Sequence, residues 1–260
     1  MFERVLVAWD GSERARDAAE WSADRPATRS VVLLHVDDGV APAPTAQDAE
    51  EAARGLRGRR PGLEVRTEVV RGDRESELAR HRPDTMLVLG VAGCDAMRFP
   101  LRYGLAARLV AHAAVPVALV PSDARDRHGD VVVGSDGTAA SEAAALVAAS
   151  EAEDLRAPLV EIAVRHGGAV YDTRPEAIRM LQQQRSSVRR FLHRSARAGS
   201  AAPGDAVLEL AVAARDAALL VLARGEGGAG REPVAHEIAT RISAPMIFVK
   251  ETDLPFAATA

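Results

Sequence analysis

Residues 5–12 read Val-Leu-Val-Ala-Trp-Asp-Gly-Ser, and residues 131–138 read Val-Val-Val-Gly-Ser-Asp-Gly-Thr. Each is a short apolar run that ends in Asp-Gly and a hydroxyl residue. Each is followed by an Ala-rich stretch of helical character. Ser12 and Thr138 stand where a helix N-cap is needed, with a side-chain oxygen able to accept a hydrogen bond from an otherwise free N–H of the first turn. A strand-turn-helix unit that occurs twice, 126 residues apart, predicts an internal duplication.

Working outward, the two copies stay in step. Ser30–Val36 (SVVLLHV) and Pro158–Val164 (PLVEIAV) each predict a second buried strand. Thr85–Gly90 (TMLVLG) pairs with Ala218–Ala223 (ALLVLA), and Val115–Pro121 (VPVALVP) pairs with Ala244–Lys250 (APMIFVK). Unbroken apolar runs predict strands covered on both faces, as in a parallel sheet. Their alternation with helical patterns predicts βαβ units. The fold class is therefore α/β, with two tandem domains at residues 1–121 and 130–250. The polar stretch Ser122–Gly129 joins them, and residues 251–260 form a tail.

The copies are unequal. Leu63–Val70 (LEVRTEVV) predicts a third strand in the first, whereas Arg197–Gly204 (RAGSAAPG) lacks strand character in the second. An amphipathic helix is expected over about Pro175–Arg197, with Ile178, Leu181, Val188 and Leu192 as its apolar stripe. Its many arginines read as a solvated face rather than a patch for an acidic partner.

Bulk composition narrows the function. The 260 residues carry 33 Lys+Arg against 37 Asp+Glu, a net charge of -4, which speaks against a general nucleic-acid binder. Cys94 is the single cysteine, so an intrachain disulfide is excluded. It lacks a resolving partner and any mark of a lowered-pKa nucleophile. No apolar run reaches the roughly 20 residues of a membrane span, and the N-terminus shows no secretory pattern. A cytoplasmic protein with no membrane or nucleic-acid partner is expected. The histidines have no metal-ligand spacing, and no nucleophile elbow, Walker A lysine or dinucleotide fingerprint is present. His35 reads as structural, His112 as a residue suited to a helix C-terminus, and Trp21 as the residue that packs the first helix on the sheet.

Chemistry points to the end of the fourth strand. Gly90-Val91-Ala92-Gly93 is followed by a helical pattern over Tyr103–Ala113. Glycines let backbone amides approach a ligand, and a helix N-terminus adds free N–H groups and partial positive charge. Ligands of open α/β sheets sit beyond the carboxyl ends of the strands, the rim on which Asp10 also falls.

The run VLVAWDGS, the His35-Val36 that ends the second strand, and LVLG-x-x-G before a helix and a Pro-Val-x-x-Val strand together resemble the universal stress protein family. The resemblance spans nearly the whole chain as a tandem pair. It implies open Rossmann-like domains of the adenine-nucleotide-hydrolase type. It also implies pairing through their last strands, Val117–Val120 with Met246–Val249, as an internal pseudo-dimer that would cover two sheet edges. For the first domain it implies ATP or another adenine nucleotide as ligand, held by Asp10, Val36, Gly90 and Gly93.

The family's motif continues, nine residues after its second glycine, with Gly and Ser or Thr. Here those positions hold Tyr103 and Gly104, so Gly104 serves only through a one-residue shift. Arg98 and Arg102 read as solvated loop residues. In the second domain the positions hold Ala223, Glu226 and Glu232-Pro233, which implies no nucleotide there. Asp136 reads as a turn residue. Three readings follow: a non-enzymatic stress-response protein with nucleotide in the first domain only, a nucleotide-free interaction or dimerisation scaffold, and, last, an ATP-hydrolysing enzyme. A homodimer and an unidentified protein partner fit the first two.

Overall fold

Two apolar repeats become two compact units, Met1–Asp126 and Arg127–Ala260, in the computed structural model. The structure describes residues 2–40, 46–81, 84–92, 104–122, 124, 128–135, 138–163, 206–224 and 244–253. Gly93, Cys94, Arg98, Arg102, Tyr103, Asp136, the 175–197 segment, residues 197–204, Glu226 and Glu232-Pro233 lie outside them.

In the first unit the chain runs β1 (Arg4–Ala8), α1 (Glu13–Asp24), β2 (Ser30–Asp37), α2 (Ala46–Arg59), β3 (Glu64–Arg71), α3 (Arg74–Ala79), β4 (Thr85–Val91), α4 (Leu105–His112) and β5 (Val117–Pro121). The strands form a parallel sheet in the order β3-β2-β1-β4-β5. Burial follows position. In the central strands consecutive residues are buried, Val5, Leu6 and Val7 in β1 and Thr85 to Leu89 in β4. The outer strand β3 is mostly exposed and carries Glu64, Arg66, Glu68 and Arg71, charges that discourage a further strand from adding to it.

In the second unit β6 (Val131–Ser135), α5 (Ala139–Leu155), β7 (Leu159–Ala163), α6 (Ala206–Ala213), β8 (Leu219–Ala223) and β9 (Met246–Val249) are followed by a 3-10 turn, Glu251–Asp253. Its described strands are parallel in the order β7-β6-β8-β9. Among the described residues, no helix is long and apolar enough to cross a membrane.

The helix starts follow the predicted chemistry. Ser12 accepts from the Ala15 amide at 3.2 Å and Thr138 from the Ser141 amide at 3.2 Å. His112 is the last residue of α4. One packing expectation fails. Trp21 is not what seats α1 on the sheet; the helix buries Ala15, Ala18, Ala19, Ser22 and Ala23 instead. Trp21 is half-buried, with the Arg25 guanidinium 5.3 Å from its ring centre. Small side chains let helix and strand approach so closely that Gly90 touches the α1 backbone. A Cβ there would lie 2.0 Å from the Arg14 carbonyl oxygen.

The copies differ in how they close after the last strand. Ala124 donates its N–H to the Pro121 carbonyl at 3.1 Å, and Asp253 does the same to Lys250 at 3.1 Å, so the two turns correspond. In the first unit the corresponding residues are Val91 and Ala124, both apolar and buried. In the second they are Arg224 and Asp253, a buried ion pair at 2.9 Å. Asp253 also accepts from the Lys250 amide at 2.7 Å. Burial pulls the Arg224 guanidinium below its usual range, and the Asp253 carboxylate opposes that by charge and hydrogen bonding.

Candidate functional site

The carboxyl ends of β1, β2 and β4, with the starts of α3 and α4, enclose a cavity of about 200 Å3 in the first unit. Three of the sequence-predicted residues meet there: Asp10, Val36 and Gly90. Gly104 is the residue before α4 and has no side chain with which to cap it. The next two residues, Leu105 and Ala106, line the cavity. The bare first turn of α4 thus brings uncapped backbone N–H groups and the positive end of the helix dipole to the site. Gly93 falls outside the described residues.

Asp10 begins a tight turn. Its Oδ1 accepts from the Ser12 amide at 3.0 Å, and Gly11 between them has φ +77°, a conformation that favours glycine. The Asp-Gly-Ser entrance therefore acts locally, turning the chain from β1 into α1 and capping the helix. Asp10 is exposed, and its second oxygen faces no partner among the described residues.

Gly90 lines the cavity, but its lack of a side chain is already required by the Arg14 contact. The glycine therefore has a structural reason beside the expected role in ligand approach. Packing of α1 against β4 demands it whether or not anything binds.

The structure adds residues that the sequence had not singled out for the site. Arg74, in the first turn of α3, lines the cavity and is held by Asp38, Nε to Oδ2 at 2.8 Å. The sheet order places the end of β3 beside that of β2, so topology was the signal that could have found it. Trp9 lines the cavity too, beneath the Arg16 guanidinium at 5.9 Å. His35, read as structural, does hold the backbone, its Nδ1 lying 2.9 Å from the Trp9 carbonyl oxygen. It is also among the residues that line the cavity. No group of metal-ligating side chains occurs among the described residues.

Residues 1–121 match the model of the universal stress protein family. It is the first domain that matches this family. A universal stress protein of Mycobacterium tuberculosis is 29% identical over 61% of this chain and 61% of its own length, so the match leaves part of each protein uncovered. A universal stress protein structure from Archaeoglobus fulgidus superposes with a TM-score of 0.64 at 14% identity, covering 95% of this chain and 96% of that one. A putative universal stress protein from Pseudomonas aeruginosa gives 0.61 at 14% identity, covering 97% and 95%. At such identity these two likenesses concern the fold. They support an α/β fold for both units.

Proposed function

We propose that this chain is a non-enzymatic stress-response protein of the universal stress type that binds an adenine nucleotide, ATP in the first instance, in its first domain. The observation that carries this reading is the convergence of Asp10, Val36 and the bare start of α4 on one cavity. A carboxylate there can accept from an amino group or a ribose hydroxyl. The α4 amides supply the donors a phosphate needs. The second domain contributes fold without a nucleotide, as its Ala223 and Glu232 suggest.

Calorimetric titration with ATP and ADP tests this. Nucleotide at 100 times its dissociation constant stabilises the protein by about 2.7 kcal/mol, visible as a raised melting temperature. Ala106→Glu, which sets a carboxylate in the cavity at the start of α4, abolishes the effect while suiting the helix dipole. No response to millimolar ATP would sink the proposal. ATP turnover above a heat-killed control would replace it with the enzymatic reading.

A second reading keeps the fold as a nucleotide-free interaction scaffold. One observation favours it: Gly90, part of the family's phosphate turn, is accounted for by helix packing alone. The same titration decides between the two.

A further inference from the structure

Helix α3 is six residues long, well short of the roughly 12–15 at which an isolated helix persists. Leu78 is its one buried side chain. Yet α3 supplies two residues of the cavity wall, Arg74 and Leu78. What surrounds the helix must therefore hold it in place. At its start Arg74 is paired with Asp38, just beyond β2. Glu75 is paired with Arg108 of α4. At its end the Ala79 carbonyl accepts from the Ala114 amide at 3.2 Å.

His81 follows two residues after α3, with its ring half-buried. One ring nitrogen donates to the backbone carbonyl of Glu77, inside the helix. The other, Nε2, is buried and has no hydrogen-bond partner among the described residues. A neutral ring leaves only an idle lone pair there. A second ring proton would make Nε2 a buried, charged donor with nothing to receive it, which costs far more. The charged groups that act on the ring are Glu68 of β3, Glu77 of α3 and the adjoining Arg80. Burial pulls the ring below its usual range. The Glu77 hydrogen bond and the Glu68 and Glu77 carboxylates oppose that, and Arg80 adds to it.

We propose that α3 is a pH-gated wall of the first-domain cavity, closed while His81 is neutral and released when the ring takes a second proton. A released ring protonates at its ordinary value, about 6.5, and the closed ring only at lower pH. The closed wall thus has its full stability above about pH 6.5 and loses it as the pH falls below. Arg74 and Leu78 leave the cavity with the helix. The gate needs no nucleotide, so it stands or falls apart from nucleotide binding.

Amide hydrogen exchange of the ligand-free protein tests this, each rate being taken relative to the intrinsic rate at that pH. The Glu77 amide, bonded to the Asp73 carbonyl at 2.9 Å, and the Ala114 amide report on α3. The Leu87 amide, bonded to the Pro116 carbonyl at 2.9 Å, reports on the sheet. From about pH 7.5 to about 5.5, protection at Glu77 and Ala114 falls severalfold, with about tenfold as the ceiling, and that at Leu87 holds. His81→Asn keeps an N–H for the Glu77 carbonyl and cannot titrate, so its protection is the same at both pH values. Glu68→Gln, on the exposed outer strand, removes a carboxylate that favours the charged ring and enlarges the fall. If His81→Asn fails to fold, the wild type and Glu68→Gln still decide.

Wild-type protection that ignores pH over this range overturns the inference. So does a fall that persists in His81→Asn or shrinks in Glu68→Gln. A fall centred on the Trp9 amide instead overturns it too, because His35, bonded to the Trp9 carbonyl, would then be the ring that titrates.

Discussion

Gly90→Ala is expected to destabilise the first domain without reference to any ligand. The new Cβ would stand 2.0 Å from the Arg14 carbonyl oxygen, 2.4 Å from its carbon and 2.9 Å from the Ala15 nitrogen. All three are backbone atoms, so no side-chain rotation relieves the clash. The start of α1 must retreat from β4 by about 1 Å, and a close-packed interior transmits such a shift. Ala15, Ala18 and Ala19 then lose contact with the sheet. Overpacking costs about 1–3 kcal/mol, and a rigid backbone neighbour puts this case near 3. Replacing a strand glycine by alanine returns roughly 0.5–1 kcal/mol of chain entropy. The net loss is about 2 kcal/mol, which lowers the urea midpoint by about 1 M.

Tryptophan fluorescence reads this out selectively, because Trp9 and Trp21 are the only tryptophans and both lie in the first unit. Gly55→Ala, inside α2 with nothing within 4 Å of the added Cβ, serves as the opposite control. It stabilises by about 1 kcal/mol. A Gly90→Ala midpoint at or above wild type refutes the packing argument and returns this glycine to ligand binding.

Three further outcomes are expected. Asp253→Ala deprives the buried Arg224 of its ion pair with Asp253 at a cost of about 3 kcal/mol; the double change Arg224→Val with Asp253→Ala, the first unit's own choice, recovers most of it, as hydrogen exchange of the β8 and β9 amides would show. Ser12→Ala removes the α1 cap and lowers stability by about 1 kcal/mol, measured by the same urea titration. The Ser76 amide and hydroxyl hold the Asp73 carboxyl below its usual range. A depressed pKa stabilises the fold above the unfolded value and ceases to do so as pH falls through the folded one, so stability drops below about pH 4. Asp73→Asn flattens that acid limb, and an unchanged pH profile would count against the bond.

Much of the fold was legible because buried parallel strands announce themselves as unbroken apolar runs. The described strands lie within two residues of their expected limits, and both hydroxyl caps act as expected. Packing partners were less legible. Trp21 drew attention by size, yet the alanines of α1 make the close contact, because interlocking depends on the opposing surface as much as on the side chain. Gly90 was picked out for ligand approach, and the structure adds a packing reason. A glycine in sequence says that a Cβ is unwelcome; only the structure says which atom excludes it. Asp10, Val36 and Gly90 came together because strand order places those strand ends side by side. Arg74 and Trp9 went unremarked because neither residue type nor spacing marks them. His35 was legible as structural, but its partner, the Trp9 carbonyl, was not.

The ion pair of Arg224 and Asp253, set against Val91 and Ala124, has a consequence for the folding of a duplicated chain. Sister domains of similar pattern are prone to exchange segments while they fold. A closing segment of the second copy docked beside β4 would bury Asp253 against Val91 with no cation. The reciprocal error would set Arg224 opposite Ala124 without the Asp253 carboxylate. Either mistake breaks a buried ion pair, at a cost larger than most single contacts could repay. The two halves thus carry mutually exclusive keys at their last turn, and each strand-ending segment is worth burying only in its own half.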